Sequence, residues 1–457
     1  MAPFPWTRKP RVPADIRDRI SVELRCRELD RFQVLGKEFP PYRFVDLHRA
    51  AEHFSKEFSE AAAIESEHAE DLNSILHGQP QMRSSRSITQ PGNIAWPSGL
   101  SEELSLPVDK FWLCRVRTES QPAPVILRVR YDPARDRVAL EIASPEPGLA
   151  EACGDTIIER AAEASVYRNQ LLQLALVPGL KDEQADIEGP DRIRILFRPP
   201  ERVDEEDLLI GDDVRHALRR NVIDLHRKRE LLKSHHVPIR RGVLLYGPPG
   251  TGKTFACRYL CWKLPDTTRI IVSGTALFQV RSIFSLARML QPTLLILEDI
   301  DLVFASREVN SYSATLGELL DQMDALRPHE DVSFVLTTNA IERMEAAIRD
   351  RPGRVGQCIY FGPPKAEQRK RYLLHYLRLH SPHNLNIDVL VEQSDGATQA
   401  FLKEWVHRAV QIAVERLGAN DDKLDLRDKD FREAMHEMRS FSEGSTGRII
   451  GFHDDPS

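Results

Sequence analysis

Apolar positions in the second half of the chain come in short unbroken runs. Residues 243–246, 293–297 and 333–336 each read as a strand buried on both faces. Helical patterns separate them, and strand and helix alternate through Ile359, the signature of a parallel sheet with crossover helices. The first half reads differently. Residues 111–117, 125–131 and 138–143 form a β meander, with 132–136 the turn between its second and third strands. In its second strand Val125, Leu127, Val129 and Tyr131 alternate with polar residues, as in a sheet with one wet face. Helical periodicity covers residues 10–28, 45–76 and 156–176, and 193–197 reads as one more strand. Residues 79–99 are rich in Gln, Ser, Pro and Gly and read as a linker or loop. Pro199-Pro200 and the acidic stretch at 204–207 mark a domain boundary. Ile210-Gly211-Asp212 opens the next module, residues 363–440 are mostly helical, and 443–457 read as a tail. The expected organisation is an α+β N-terminal domain at 1–200 that docks a substrate or partner, an α/β domain at 201–362, a small helical domain at 363–440 and a tail at 441–457.

Composition narrows the class. The 457 residues, 41% hydrophobic and 29% charged, suit a soluble globular chain of about two to four domains. A net charge of −6 gives no global attraction to nucleic acid or to an anionic membrane. No apolar run approaches the roughly 20 residues that span a bilayer, and the N-terminus has no signal-peptide core. The six cysteines show no C-x-x-C pair or metal spacing. Cys257 and Cys261, a helical turn apart, are expected to pack as small apolar groups. A reducing, cytoplasmic setting is expected.

The most specific chemistry follows the strand at 243–246. Gly247, Pro248, Pro249, Gly250, Thr251, Gly252, Lys253 and Thr254 fit G-x-x-x-x-G-K-[ST], and Phe255 continues into a helix. Glycines there let backbone N–H groups cradle phosphate oxygens, and the helix N-terminus adds partial positive charge. Lys253 is expected to reach the β and γ phosphates and Thr254 to hold Mg²⁺. The strand at 293–297 runs into Glu298-Asp299-Ile300-Asp301, placing acids where a metal and an attacking water need them. The strand at 333–336 ends in Thr337-Thr338-Asn339, whose amide either contacts the γ-phosphate or water, or is a turn residue. Arg351-Pro352-Gly353-Arg354 either stabilises charge on a transferring phosphoryl group or is a surface loop. The basic helix at 214–234, with Arg240 and Arg241, is either a nucleic-acid patch or a solvated face beside a polyphosphate site. Residues 1–200 hold no catalytic constellation.

In this order the motifs resemble the AAA+ ATPases, and within them the AAA clade with a second region of homology, from about residue 210 to 440. Leu319-Leu320-Asp321-Gln322-Met323-Asp324 adds to the match. The resemblance implies a doubly wound parallel P-loop domain with an α-helical lid, binding ATP and Mg²⁺ and assembled as a ring, usually a hexamer. It implies Asn339 as the sensor asparagine, Asp212 among the nucleotide contacts, and Arg351 and Arg354 as arginine fingers reaching a neighbouring subunit. This chain departs from the family in four places. The acidic pair is Glu298-Asp299 where the family has Asp-Glu, so by register Glu298 takes the metal position and Asp299 the catalytic one. Gly356 replaces an Asp after the arginine turn. Gln399-Ala400 replaces the lid's Gly-Ala pair. The segment 273–281 is shorter than the family's substrate-gripping pore loop, and Phe278, its one aromatic, is either a pore residue or packing; Tyr312, within 307–314, is the second pore-loop candidate. The chain has no H-E-x-x-H motif and no second phosphate loop. The expected function is an ATP-hydrolysing ring that remodels, unfolds or disassembles a protein substrate. The alternative is an ATP-gated switch controlling a separate effector, with a nucleic-acid motor a distant third.

Overall fold

The computed structural model describes residues 15–58, 62–68, 70–78, 91–118, 121–177, 181–182, 187–188, 192–238, 241–301, 309–341, 356–380, 385–416 and 424–442. The chain divides into two compact units, Met1–Arg168 and Asn169–Ser457.

In the first unit α1 (Ile16–Glu23) leads to β1 (Gln33–Phe39), α2 (Phe44–Lys56), β2 (Ala62–Glu65) and α3 (Leu72–His77). The strands β3 (Asn93–Pro97), β4 (Glu103–Pro107), β5 (Asp109–Val116), β6 (Ala123–Asp132) and β7 (Arg137–Ser144) follow, then α4 (Leu149–Glu163). An antiparallel sheet runs in the order β1-β7-β6-β5-β2, and β3 pairs with β4. The meander is where the sequence pattern puts it, but its second face is not wet. Val125, Leu127 and Val129 pack with α2 and α4, while Phe111, Leu113 and Ile126 pack with α1 and α3 on the other side. On β6 the polar alternation includes Arg128, which is wholly buried and donates to Asp109 at 2.7 and 2.8 Å and to Glu141 at 2.9 Å. A guanidinium can be buried when carboxylates and carbonyls accept hydrogen bonds from its N–H groups, and here the carbonyls of His68 and Glu70 also accept. The expected helix over 45–76 is instead α2, β2 and α3.

The second unit begins with β8 (Leu171–Val177), the short hairpin β9 (Lys181–Asp182) and β10 (Ile187–Glu188), and β11 (Arg192–Phe197). Next come α5 (Asp212–Leu218), a π-helical turn (Arg219–Ile223), α6 (Asp224–Arg227) and α7 (Arg229–Ser234). The core then alternates: β12 (Gly242–Tyr246), α8 (Lys253–Lys263), β13 (Thr268–Val272), α9 (Val280–Met289), β14 (Thr293–Leu297), α10 (Val309–Asp324), β15 (Val332–Thr338) and β16 (Gln357–Tyr360). The sheet order is β11-β8-β13-β14-β15-β12-β16, parallel from β8 to β16, with β11 antiparallel at one edge. Residues 156–176, expected as one helix, are the end of α4, a turn and β8. Leucines favour helix locally, but Asn169 takes φ 59° and Leu171–Val177 gain a ladder partner on each side. Strands β8 and β11 thus belong to the sheet of the second unit, although the sequence places its boundary after them, at Pro199-Pro200.

Among the described residues four helices follow: α11 (Ala366–Leu377), α12 (Ile387–Gln393), α13 (Gln399–Glu415) and α14 (Asp428–Ser442). Their core centres on Trp405, which meets Phe431 edge-on and donates its indole N–H to the Phe431 carbonyl at 2.8 Å. Leu209, from the segment before α5, packs into the same core.

Candidate functional site

Strand β12 is buried over Gly242 to Leu245 and ends at a tight loop that only glycine permits at two positions. At Gly247 φ is +142°, and a Cβ there would lie 2.1 Å from the Phe361 carbonyl oxygen. At Gly250 φ is +77°, and a Cβ would meet Ala400 Cβ at 2.9 Å and Thr398 Oγ1 at 3.1 Å. The first glycine lets the loop cross the end of β16. The second lets the start of α13 settle on it, where the Ala400 N–H donates to the Gly250 carbonyl at 3.1 Å. The Thr251 hydroxyl donates to the Pro248 carbonyl at 2.8 Å and closes the turn.

Lys253 opens α8 and is 6% exposed. Its Nζ donates to the Gly247 carbonyl at 2.7 Å and the Pro248 carbonyl at 2.9 Å, which leaves one ammonium proton to give. Burial draws its pKa down to about 8, against the upward pull of Asp299 and Asp301. Glu298 follows β14, its N–H held by the Val272 carbonyl at 2.9 Å. Burial, then the charge of Asp299, pushes the Glu298 carboxyl up, while Arg258 and a hydrogen bond with Thr254 draw it down. A hydroxyl beside a carboxylate is the donor set Mg²⁺ takes from a protein when phosphates and water fill its other positions. Thr254 and Glu298 present a donor set that fits that ion; among the described residues no group of three or more His, Cys, Asp or Glu forms a dedicated metal cage.

Asp299 stands in left-handed backbone, φ 49°. Its N–H donates to Thr337 Oγ1 at 2.9 Å, and the next N–H, of Ile300, donates to the Thr337 carbonyl at 3.0 Å. Asn339 joins the same cluster: its N–H donates to Asp301 at 3.0 Å and its amide donates to Asp299 at 3.4 Å. Neighbouring parallel strands β14 and β15 therefore deliver the acids and the asparagine to one corner.

A cavity of about 540 Å³ opens there. Pro249, Gly250, Gly252, Lys253, Thr254 and Phe255 line it with Asp299 and Asn339. The lid supplies Tyr372, His375, Tyr376, Gln399, Ala400 and Lys403, with Asp207 and Leu209 from the segment before α5. The structure thus brings most of the sequence-derived site together. It does not bring Asp212, which lies in a neighbouring cavity of about 410 Å³ lined also by Thr251 and Gln399. Arg351 and Arg354 lie outside the described residues, as does Arg307; of Tyr312 only its place in α10 is described. Phe278 ends a 3₁₀ turn and is 42% exposed, which does not suit a packing role. Sequence reasoning missed Asp301 as a partner of Asn339, though it closes the acidic run. It missed the tyrosines of α11 too, which periodicity marks only as lid core.

A glycine loop between a buried parallel strand and a helix, its lysine at the helix start and acids on the adjacent strand end, defines a P-loop nucleoside triphosphatase domain. Residues 243–363 match the family described as ATPase family associated with various cellular activities (AAA), and this domain is an ATPase domain of that family. Over 248 residues the chain is 30% identical to the 26S proteasome regulatory subunit 8 homolog of Schizosaccharomyces pombe, covering 50% of this chain and 59% of that protein. It is 29% identical over 229 residues to proteasome-activating nucleotidase 2 of Haloferax volcanii, covering 47% and 54%. The 26S proteasome regulatory subunit 8 homolog B of Arabidopsis thaliana is 30% identical over 250 residues, covering 51% and 58%. The chain spans between half and three-fifths of the length of these relatives. No helix among the described residues is long and apolar enough to cross a membrane.

Proposed function

We propose that this chain is a Mg²⁺-dependent ATPase that works as a homo-oligomeric ring, a hexamer, and remodels, unfolds or disassembles a protein substrate in the cytoplasm. One observation carries the ATPase reading: Lys253, Thr254, Asp299 and Asn339 line a single cavity roofed by lid residues. Lys253 and the loop N–H groups bind the triphosphate; Thr254 and Glu298 would hold Mg²⁺, which would supply positive charge beside the phosphoryl oxygens. Asp299, steadied by Asn339, orients and deprotonates the attacking water. Arg351 and Arg354 are the fingers offered to the neighbouring subunit. The similarity to proteins named as proteasome regulatory subunits supports a ring acting on protein. So does Phe278, an exposed aromatic on the segment that corresponds to a substrate-gripping loop. The N-terminal unit, with no catalytic constellation of its own, is the docking module. A ring that only gates a separate effector remains the rival.

Asp299→Asn with ATP and Mg²⁺ separates assembly from turnover. Mass photometry is expected to show a closed ring, with hydrolysis lowered by two orders of magnitude or more (about 3 kcal/mol). Lys253→Ala is expected to bind no ATP. A monomer under trapping conditions would falsify the ring, and undiminished hydrolysis by Asp299→Asn would overturn the role given to that carboxylate. Loss of substrate processing in Phe278→Ala, with ATP turnover retained, favours the remodeller over the effector gate.

A further inference from the structure

The basic stretch at 214–234 supplies no residue to the nucleotide cavity. The fold breaks it into α5, the π-helical turn, α6 and α7, and sets Leu218, Val222 and Ile223 into the same core as α8. Arg219, Arg220, Arg227 and Lys228 are left exposed. Turns of π-helix are rare, and frequent at functional sites. Cations from this stretch and from the end of α8 gather at Tyr259. Lys263, one turn on, holds its Nζ 5.3 Å from the centre of the Tyr259 ring. Arg227 donates to the Lys263 carbonyl at 3.4 Å, and Arg219, its side chain 63% exposed, has Asp224 beside it at 3.8 Å. Among the described residues neither Arg227 nor Lys263 is paired with a carboxylate. Tyr259 is 4% exposed, and its hydroxyl, which makes no hydrogen bond among the described residues, reaches the surface. Burial, then the charge of Glu205, pushes the phenol up, while Arg215, Arg219 and Arg227 draw it down. Arg215 is already engaged, by Asp212 at 3.4 Å and the Leu208 carbonyl at 3.1 Å.

Two guanidiniums, an ammonium and an unbonded phenol suit a compact dianion, because guanidinium forks match phosphoryl oxygens and the ammonium adds a point charge. A long polyanion suits the cluster less. Glu205 stands near the phenol and Glu201 pairs with Arg258 at 3.2 Å, so a run of successive phosphates would meet carboxylates beside the cations. Tyr259, beneath Lys263, offers no open face for a base to stack on. A free small phosphate needs an enclosing site, whereas Arg219 stands out in solvent. We infer that this face of the ATPase domain binds a phosphorylated side chain of a partner protein, its phosphoryl oxygens taken by Arg219, Arg227, Lys263 and the Tyr259 hydroxyl.

Degenerate nine-residue peptides with a central phosphoserine, and the same peptides unphosphorylated, test this on the full chain with ADP and Mg²⁺ filling the phosphate loop. The phosphorylated set is expected to bind at least about tenfold more tightly. The double variant Arg227→Ala/Lys263→Ala should lose about tenfold or more and keep its ATP affinity. Tyr259→Phe should lose about threefold, and Glu205→Gln, which removes a competing charge, should gain about twofold. Equal binding of the two peptide sets, or undiminished binding by the double variant, would overturn the site. Inorganic phosphate binding as tightly as the peptides would overturn the assignment to a protein-borne group. A twelve-nucleotide RNA that displaces them at lower concentration would give the face to nucleic acid instead. Lys253→Ala should bind the peptides as the wild type does, and loss of binding there would place the phosphate in the loop and overturn the site. Should the double variant not fold, Arg219→Ala decides: an unchanged affinity overturns the inference.

Discussion

Asp299 adopts a backbone conformation that non-glycine residues avoid at a cost of roughly 1 kcal/mol. What holds it there is Thr337, fully buried on the neighbouring strand, which accepts the Asp299 N–H on its hydroxyl and the Ile300 N–H on its carbonyl. Valine has the same shape without the hydroxyl. Thr337→Val therefore leaves the Asp299 N–H unpartnered and frees the carboxylate to drift from Asn339. The expected cost is about 1–2 kcal/mol in stability and about tenfold in ATP turnover, with Thr337→Ser restoring most of the turnover. Turnover in Thr337→Val equal to the wild type would show that Asp299 is placed by something else. Most of this corner was legible from Glu298-Asp299-Ile300-Asp301 and Thr337-Thr338-Asn339, because strand ends in parallel sheets converge. The left-handed turn and the Asp301 contact were not, since both depend on the register between β14 and β15. Asp212 lines the neighbouring cavity. Its motif position points to the nucleotide, but the chain turns so that Leu209 and Asp207 line the main cavity instead.

Elements were read well where periodicity alone decides them and poorly where a partner decides. The strands β12, β14 and β15 are unbroken apolar runs with one fate. By contrast β6 carries Arg128 and Arg130 at alternate positions, which look like a solvated face until Arg128 is seen opposite Glu141 and ion-paired to Asp109. The helix α2 offers another buried charge. Asp46 is 2% exposed and accepts from the Ser165 hydroxyl at 2.6 Å and the Val166 N–H at 3.0 Å, fastening the segment after α4 to α2. Burial lifts its carboxyl from 3.8 to about 6, more than those two hydrogen bonds lower it. A carboxyl with a raised folded-state pKa contributes stability that is whole below the unfolded value and is lost as pH rises through the folded one. For Asp46 that window runs from about pH 4 to about pH 6. Asp46→Asn removes the charge and keeps an acceptor and a donor. Its stability relative to the wild type should rise by about 1 kcal/mol between pH 5 and pH 7.5, then stay flat. Hydrogen exchange of the β5 to β7 amides in both proteins measures this. An identical gap at the two pH values would mean that Asp46 stays charged throughout.

At the scale of the whole molecule, residues of the phosphate loop, Asp299 and Asn339 line one cavity of a single chain, and the two proposed fingers are offered by another. That division makes a complementation test possible. Lys253→Ala has an intact Arg354 to offer but no competent loop, whereas Arg354→Ala has a competent loop and no finger. Each homogeneous ring should turn over slowly, by a factor of about 10³ or more for the finger variant. In a ring assembled from equal amounts of both, a site works when an Arg354→Ala subunit is followed by a Lys253→Ala subunit on its finger side. Random order gives that arrangement at about one site in four, so the mixture should recover about a quarter of wild-type turnover if sites act independently. Cooperative rings would recover less, but still more than either parent. Activity that stays at the level of the parents, with ring assembly confirmed by mass photometry, would mean that Arg354 acts on its own subunit's nucleotide or not at all. Recovery that vanishes on dilution below the assembly threshold is the second signature expected, because a finger supplied in trans works only while its neighbour is bound.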